Sequence, residues 1–387
     1  MTSHANAAPK SATALRISPA KVVIWGLLIL GLVVAAIRYT NGIGAISNLT
    51  NAYSFGLWIS LDLLCGVALA AGAFTTCAAV YIFRQEQFRP LVRPAILTGW
   101  LGYLMVIFAL MVDLGRPERI WHMLIYWNPH SPLFEVGLCV MLYTTVLTLE
   151  FVPLVFEKLK WGKALKRIHS ISLPLILAGV FLSTLHQSSL GSLFLVMPDK
   201  VHPLWHTPLL PVLFFVSAAG VGLAMVIFEG TISTWAYNRP PEHHLLGRLA
   251  KAIPWILGLY LTIKMVELAV AGDLHYAFEP GKLTFLFWTE ILVGIVLPMI
   301  LFSIPTVRNS GKGQFFSAAL VIAGLMLNRF DVGLVSWTRP AGASYTPHWM
   351  EFSITLGVLA AALLAYDWVA RNLRLFDAEH HAEGGSH

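Results

Sequence analysis

Charge is scarce in this chain. Charged residues make up 12% of it and hydrophobic residues 57%, with a mean hydropathy of +0.70. A soluble domain averages roughly 25% charged residues, so a water-soluble globular fold is excluded. Cysteine is sparse too. Cys65, Cys77 and Cys139 all fall inside apolar segments as small core residues, and none forms a CxxC pair, so no zinc or iron–sulfur framework is visible. There is no Walker motif and no nucleophile elbow. Histidine is plentiful, at fourteen, but only His186 falls well within an apolar segment, and there it is near one end. A haem b inside a membrane needs imidazoles projecting from helices into the bundle core, so bis-histidine ligation is not expected, and neither is an embedded metal. The net charge of +6 does not point to nucleic acid, because Lys and Arg sit between apolar segments, where topology control accounts for them.

What the sequence has is ten long apolar segments, each near the length of about 20 residues that crosses a bilayer. They run over 21–38, 54–83, 91–114, 134–157, 168–193, 208–236, 249–272, 283–304, 313–337 and 347–372. The fold class is therefore an all-α polytopic membrane protein. Short connections make neighbours antiparallel and suggest two adjoining four-helix bundles, helices 2–5 and helices 6–9, with helices 1 and 10 peripheral. Residues 1–20 are Pro/Ala-rich and read as a disordered cytoplasmic tail, and residues 373–387 as a flexible one. The first apolar run reads as an uncleaved anchor. His380, His381 and His387 fit the flexible tail better than a metal site. Eighteen Lys and Arg lie on the side of the two termini and six on the other, which places both termini in the cytoplasm. The opposite loops are rich in aromatics and His: Trp121, His122, Tyr126, Trp127 and His130, then His202, Trp205 and His206. Interfacial aromatic belts explain some of this; a docking surface for a periplasmic partner would explain the rest.

Ionisable residues at membrane depth are costly and usually have a partner or a job. Asp62 lies about 12 Å inside helix 2, and Asp113 ends helix 3 and leads into Arg116. His186 and Gln187 precede Ser188, Ser189 and Ser192. Glu150 and Glu229 lie toward the cytoplasmic side, so helices 2–6 hold acids at both depths, as a path for protons requires. Lys264 and Glu267, three apart, share a face of helix 7 and are candidates to pair. With Glu290, Arg329 and Asp331 they read as internal neutralisation or as part of a proton path. Helix 2 carries a small-residue face from Gly66 to Ala73, suited to close helix contact or to a flat apolar ligand. Trp58 is an interface anchor or a ring that stacks on that ligand.

Five strings carry a resemblance: SFGLWISLDLLCG (54–66), VDLGRPERIW (112–121), LHQSSLGSL (185–193), VHPLW (201–205) and VIFEG (226–230). Over nearly its whole length the chain resembles the NrfD/polysulfide-reductase membrane subunits, and within them the hydrogenase branch. The resemblance implies a quinone-reactive membrane anchor without haem, in the bacterial inner membrane. It would exchange electrons between menaquinone or ubiquinone and a periplasmic iron–sulfur subunit, and through that subunit with the large and small subunits of a nickel–iron hydrogenase. Iron–sulfur clusters would lie only in those partners. The resemblance further implies a site near the outer ends of helices 2, 3 and 5. There His186 would bond and protonate a quinone carbonyl, Asp113 would orient or balance His186 or Arg116, Gln187, Ser188 and Ser189 would add polar contacts, and Trp58 would touch the ring. Asp62, Glu150 and Glu229 would carry protons inward, with Lys264 and Glu267 as further candidates.

Three alternatives stay open. One is a same-family subunit with a multihaem cytochrome or sulfur-metabolising partner. Another is a proton-coupled secondary transporter, which the lack of an internal repeat disfavours. The last is a passive scaffold that only holds the partner.

Overall fold

In a computed structural model of the protein, the residues described are 19–50, 53, 55–197, 200–240, 242–337 and 345–376. The terminal tails, with His380, His381 and His387, lie outside them. Ten helices are long and apolar enough to cross a membrane. They are α1 (Pro19–Asn41), α2 (Trp58–Ile82), α3 (Glu86–Asp113), α4 (Pro132–Leu159), α5 (Ser172–Leu195), α6 (Leu210–Ala236), α7 (His243–Ala271), α8 (Lys282–Ser303), α9 (Gly311–Val335) and α10 (Trp349–Asn372). Among the described residues there is no β-strand. Bilayer physics dictates this, since a helix satisfies its own backbone groups where no water can. The chain is a multi-pass, all-α membrane protein.

The start of α1 and the end of α10 share one face, tied there by Lys21 and Asp367 at 2.8 Å. We call it the near face and its opposite the far face. α1 packs chiefly along α10 and presents Val22, Val23, Trp25, Ile29 and Leu32 outward, the apolar surface that lipid requires. α2 to α5 pack on one another in succession, and α6 to α9 do the same. α2 joins the two groups by packing on α6 and α9. It can do so because its small residues let backbones meet: a Cβ on Gly222 of α6 would come within 2.7 Å of the Ala71 backbone. Between α4 and α5 a short amphipathic helix, Gly162–Ser170, carries Lys163, Lys166 and Arg167 at the near face.

Three spans contain π-helical turns. Trp58–Cys65 and Ala78–Ile82 lie in α2, Glu290–Val296 in α8 and Asp331–Val335 in α9. Such turns are rare and are frequent at functional sites. Two of them begin on a buried acid, Glu290 or Asp331.

Candidate functional site

His186 lies on α5, about 14 Å below its far end at 1.5 Å per residue, and is 0% exposed. Its Nδ1 meets the Tyr103 hydroxyl of α3 at 2.7 Å. The Tyr103 ring stands edge-on to Tyr143 of α4, with centroids 4.7 Å apart. The next residue, Gln187, donates from Nε2 to the Val67 carbonyl of α2 at 2.9 Å. Helices α2 to α5 therefore all contribute to a buried polar cluster, α5 through both His186 and Gln187. Ser189 Oγ donates back to the His186 carbonyl at 3.0 Å, which is helix-internal bonding. Ser188 is half-buried and its carbonyl accepts from Ser192. Among the described residues His186 Nε2 and Gln187 Oε1 have no hydrogen-bond partner. Each such buried group costs about 1–3 kcal/mol, so two on adjacent residues suit a place where a ligand or a proton is handled.

Below this cluster, Glu150 stands seven residues from Tyr143 on α4, about 10 Å nearer the near face. Glu150 and Tyr143 approach the same point on α5, at Gly179. His186, Tyr103, Tyr143 and Glu150 thus form a descending line of ionisable groups. Glu229 is elsewhere. It accepts from Tyr366 of α10 at 2.5 Å and lines a small near-face cleft beside Arg239 and Glu242.

The far-face residues do not join His186. Trp58 is 1% exposed, packs with Val34, Ile46, Val112 and Ile354, and donates from Nε1 to the Glu351 carbonyl at 3.3 Å. It is neither an interface anchor nor a ring beside His186. Asp113 does not bond His186; it lies within electrostatic reach of Arg38, Glu351 and Asp62. Arg38 donates to the carbonyls of Val112 and Leu114, on either side of it. Asp62 is about 6 Å from the far end of α2, because α2 begins at Trp58, and accepts from Thr355 of α10 at 2.7 Å. Glu351 caps α10 and accepts from the backbone of Asn48 and His348 and from the Tyr345 hydroxyl. Burial and that carboxylate push the Tyr345 phenol up. Arg116 is exposed in the α3–α4 loop.

In the second bundle, Lys264 pairs with Glu290 of α8 at 2.6 Å, both ends buried, and not with Glu267. The i,i+3 reading fails because the ammonium turns inward, while Glu267 stays half-buried at the edge of a small cleft. Glu290 is fully satisfied. It also accepts from Tyr260 at 3.3 Å, Asn328 at 3.1 Å and Trp205 at 2.9 Å. Trp205 is 2% exposed, so the VHPLW loop dips into the bundle at this residue instead of presenting it outward. Arg329 donates to Asn328 and Ser217 and lies over the Phe214 ring at 3.6 Å.

Tyr103, Tyr143, Tyr260, Asn328 and Glu351 are the site residues that sequence reasoning passed over. A polar group in mid-span among apolar neighbours was the available signal for the first four.

The comparisons with known proteins agree with this architecture. The family described as polysulphide reductase, NrfD, matches residues 45–335. The protein is similar to one of Escherichia coli named probable Ni/Fe-hydrogenase 2 b-type cytochrome subunit, 33% identical over 89% of each sequence. It is 29% identical to the integral membrane subunit of menaquinone reductase of Nitratidesulfovibrio vulgaris, over 92% of this sequence and 90% of that one. It is 25% identical to the C subunit of polysulfide reductase of Wolinella succinogenes, over 68% of this sequence and 88% of that one. The chain belongs to the NrfD family of oxidoreductase membrane subunits.

Proposed function

We propose that this protein is the quinone-reactive membrane subunit of a hydrogenase-type complex in the bacterial inner membrane. The single observation that carries the reading is His186: a fully buried imidazole with Nδ1 anchored on Tyr103 and Nε2 free. When the Tyr103 hydroxyl donates to Nδ1, Nε2 carries the hydrogen and is a donor suited to a quinone carbonyl; in the other tautomer it is an acceptor. Gln187 Oε1, the free acceptor one residue on, suits a quinol hydroxyl. A quinone, when bound, would accept two electrons and two protons. His186, Tyr103, Tyr143 and Glu150 hold and pass the protons along the line through α3, α4 and α5. Imidazole fits the role because one ring nitrogen donates while the other accepts, so a neutral ring can take a proton on one side and release one on the other. His186 and Gln187 are closed off at rest, so ring entry requires the packing of α2 to α5 to open. Asp62 and Glu229 serve as separate carboxylates at the two faces. Glu229 sits at the cleft that leads to the near face, and this arrangement favours proton supply from the cytoplasm.

The partner is a periplasmic iron–sulfur subunit docked on the far face, with nickel–iron hydrogenase subunits beyond it. The relative named as a hydrogenase 2 subunit supports this, and the Lys and Arg asymmetry supports cytoplasmic termini. A menaquinone reductase relative supports menaquinone as the quinone, with ubiquinone as its alternative. The b-type cytochrome in the E. coli relative's name implies haem, but a bis-histidine pair does not fit here. His186 is the one fully buried imidazole among the described residues, and Tyr103 occupies its Nδ1. A second reading keeps the site and changes the partner to a sulfur-metabolising module, which the polysulfide reductase relative favours.

His186→Ala tests the reading in the assembled complex. Loss of a positioned acid–base group predicts a fall of about 10²–10⁴ in quinone turnover, with assembly intact. Normal turnover in an assembled variant would leave the protein a scaffold.

A further inference from the structure

Asp331 is the ionisable group of α9 that the first-bundle chemistry does not use. It is 0% exposed, and among the described residues neither carboxyl oxygen has a hydrogen-bond partner. A carboxyl in such a place either carries a proton or awaits a cation, because a bare buried charge is prohibitive. The groups around it are few. Within electrostatic range are Glu290 and Lys282 of α8 and Lys264 of α7. Tyr260 of α7 lies within electrostatic reach as well. Arg329 is two residues back on α9; its two terminal nitrogens donate to Asn328, Ser217 and the Phe214 carbonyl, and among the described residues its Nε has no partner. On the α2 side the neighbour is Ser60, beside Gly333. The loop before α6 contributes the His202 backbone, bonded to Ser336 at 3.1 Å.

Lys264 is the cation of this group that is paired with a carboxylate. It has a flexible four-carbon stem, is paired with Glu290 at 2.6 Å and lies within electrostatic range of Asp331 without bonding it. Two independent features say the site is built for change. Both acids open π-turns, at Glu290 and at Asp331. A small cleft lined by Pro203, Thr207, Lys264, Glu267 and Asn328 lies between Lys264 and the loop before α6.

We propose that Asp331, Glu290 and Lys264 form a proton-exchange site in the second bundle, in which one ammonium alternates between two carboxyls. In the state seen here, Lys264 neutralises Glu290 and Asp331 holds a proton. In the alternate state Lys264 neutralises Asp331 and the proton sits on Glu290, beneath the cleft. The proton moves one way and the ammonium the other. The three groups together carry one ammonium, one carboxylate and one carboxylic acid in both states, so the exchange adds no net charge to the bundle. The site stands independently of the quinone reading, since none of its residues touches His186 or Gln187.

Infrared difference spectroscopy of the full-length protein in lipid, in H2O and D2O, tests it. The wild type is expected to show a protonated-carboxyl C=O band that shifts in D2O and is absent in Asp331→Asn. In Glu290→Gln the freed Lys264 turns to Asp331, so the same band is lost. In the double variant Lys264→Met/Glu290→Gln, which leaves no unpaired ion to unfold the bundle, the band returns. An unchanged band in Asp331→Asn, or one that survives in Glu290→Gln, overturns the proposal. So does its failure to return in the double variant. Should Asp331→Asn not fold, Asp331→Glu is expected to move the band in frequency, and an unmoved band overturns the assignment. His186→Ala leaves this band in place while lowering turnover, so the two readings fail separately.

Discussion

At the scale of single residues, the first bundle turns on a contact between two side chains. Tyr103 fixes the His186 ring at 2.7 Å, and both are fully buried. In Tyr103→Phe the Nδ1 atom is left buried without a partner, which costs about 1–3 kcal/mol and loosens the ring. Thermal unfolding in detergent is expected to show that loss, and quinone turnover to fall less than in His186→Ala, since Nε2 is still present. Equal stability in Tyr103→Phe and wild type would mean that the bond does not form. His186 itself was legible in the sequence, because an imidazole within an apolar span is uncommon. Its partner was not. Hydrophobic patterning gives the depth of Asp113 and the shared face of Lys264 and Glu267, but not which neighbouring helix each side chain turns toward. Asp113 came to lie among Arg38, Glu351 and Asp62, and Lys264 turned to Glu290, for that reason.

At the scale of elements, the ten spans follow from hydropathy because a bilayer permits little else. Their ends moved where other physics took over. α7 starts at His243, six residues before the apolar run, since a helix continues past the membrane when its residues allow it. α5 starts at Ser172, after the separate amphipathic turn Gly162–Ser170. The π-turns had no sequence signature, as they arise from how helices seat on one another. α8 and α9 meet backbone to backbone, where a Cβ on Gly324 would lie 2.3 Å from the Gly294 Cα. Gly324→Val forces these helices apart, and overpacking of this kind costs about 1–3 kcal/mol. A lowered unfolding temperature is expected, together with weaker retention of the Lys264–Glu290 pair. An unaltered unfolding temperature would contradict the close approach of α8 and α9.

At the scale of the whole molecule, the two faces differ in chemistry. The near face collects the cations of the α4–α5 connection, and the far face the exposed aromatics Trp121, Tyr126 and Trp127. That asymmetry gives the proposed orientation. All three native cysteines are buried, so single introduced cysteines report cleanly. In intact cells, Trp127→Cys is expected to react with a membrane-impermeant thiol reagent, and Lys163→Cys only after permeabilisation. The reverse order would invert the protein and place the partner in the cytoplasm.

The most direct measurement is photolabelling of the assembled complex with an azidoquinone, with the adduct mapped by mass spectrometry. The account predicts that the label falls on α3–α5 peptides around Tyr103 and His186 and that excess quinone displaces it. A displaceable label confined to other helices, with these peptides unmodified, would contradict the assignment of His186 as the residue that meets the quinone.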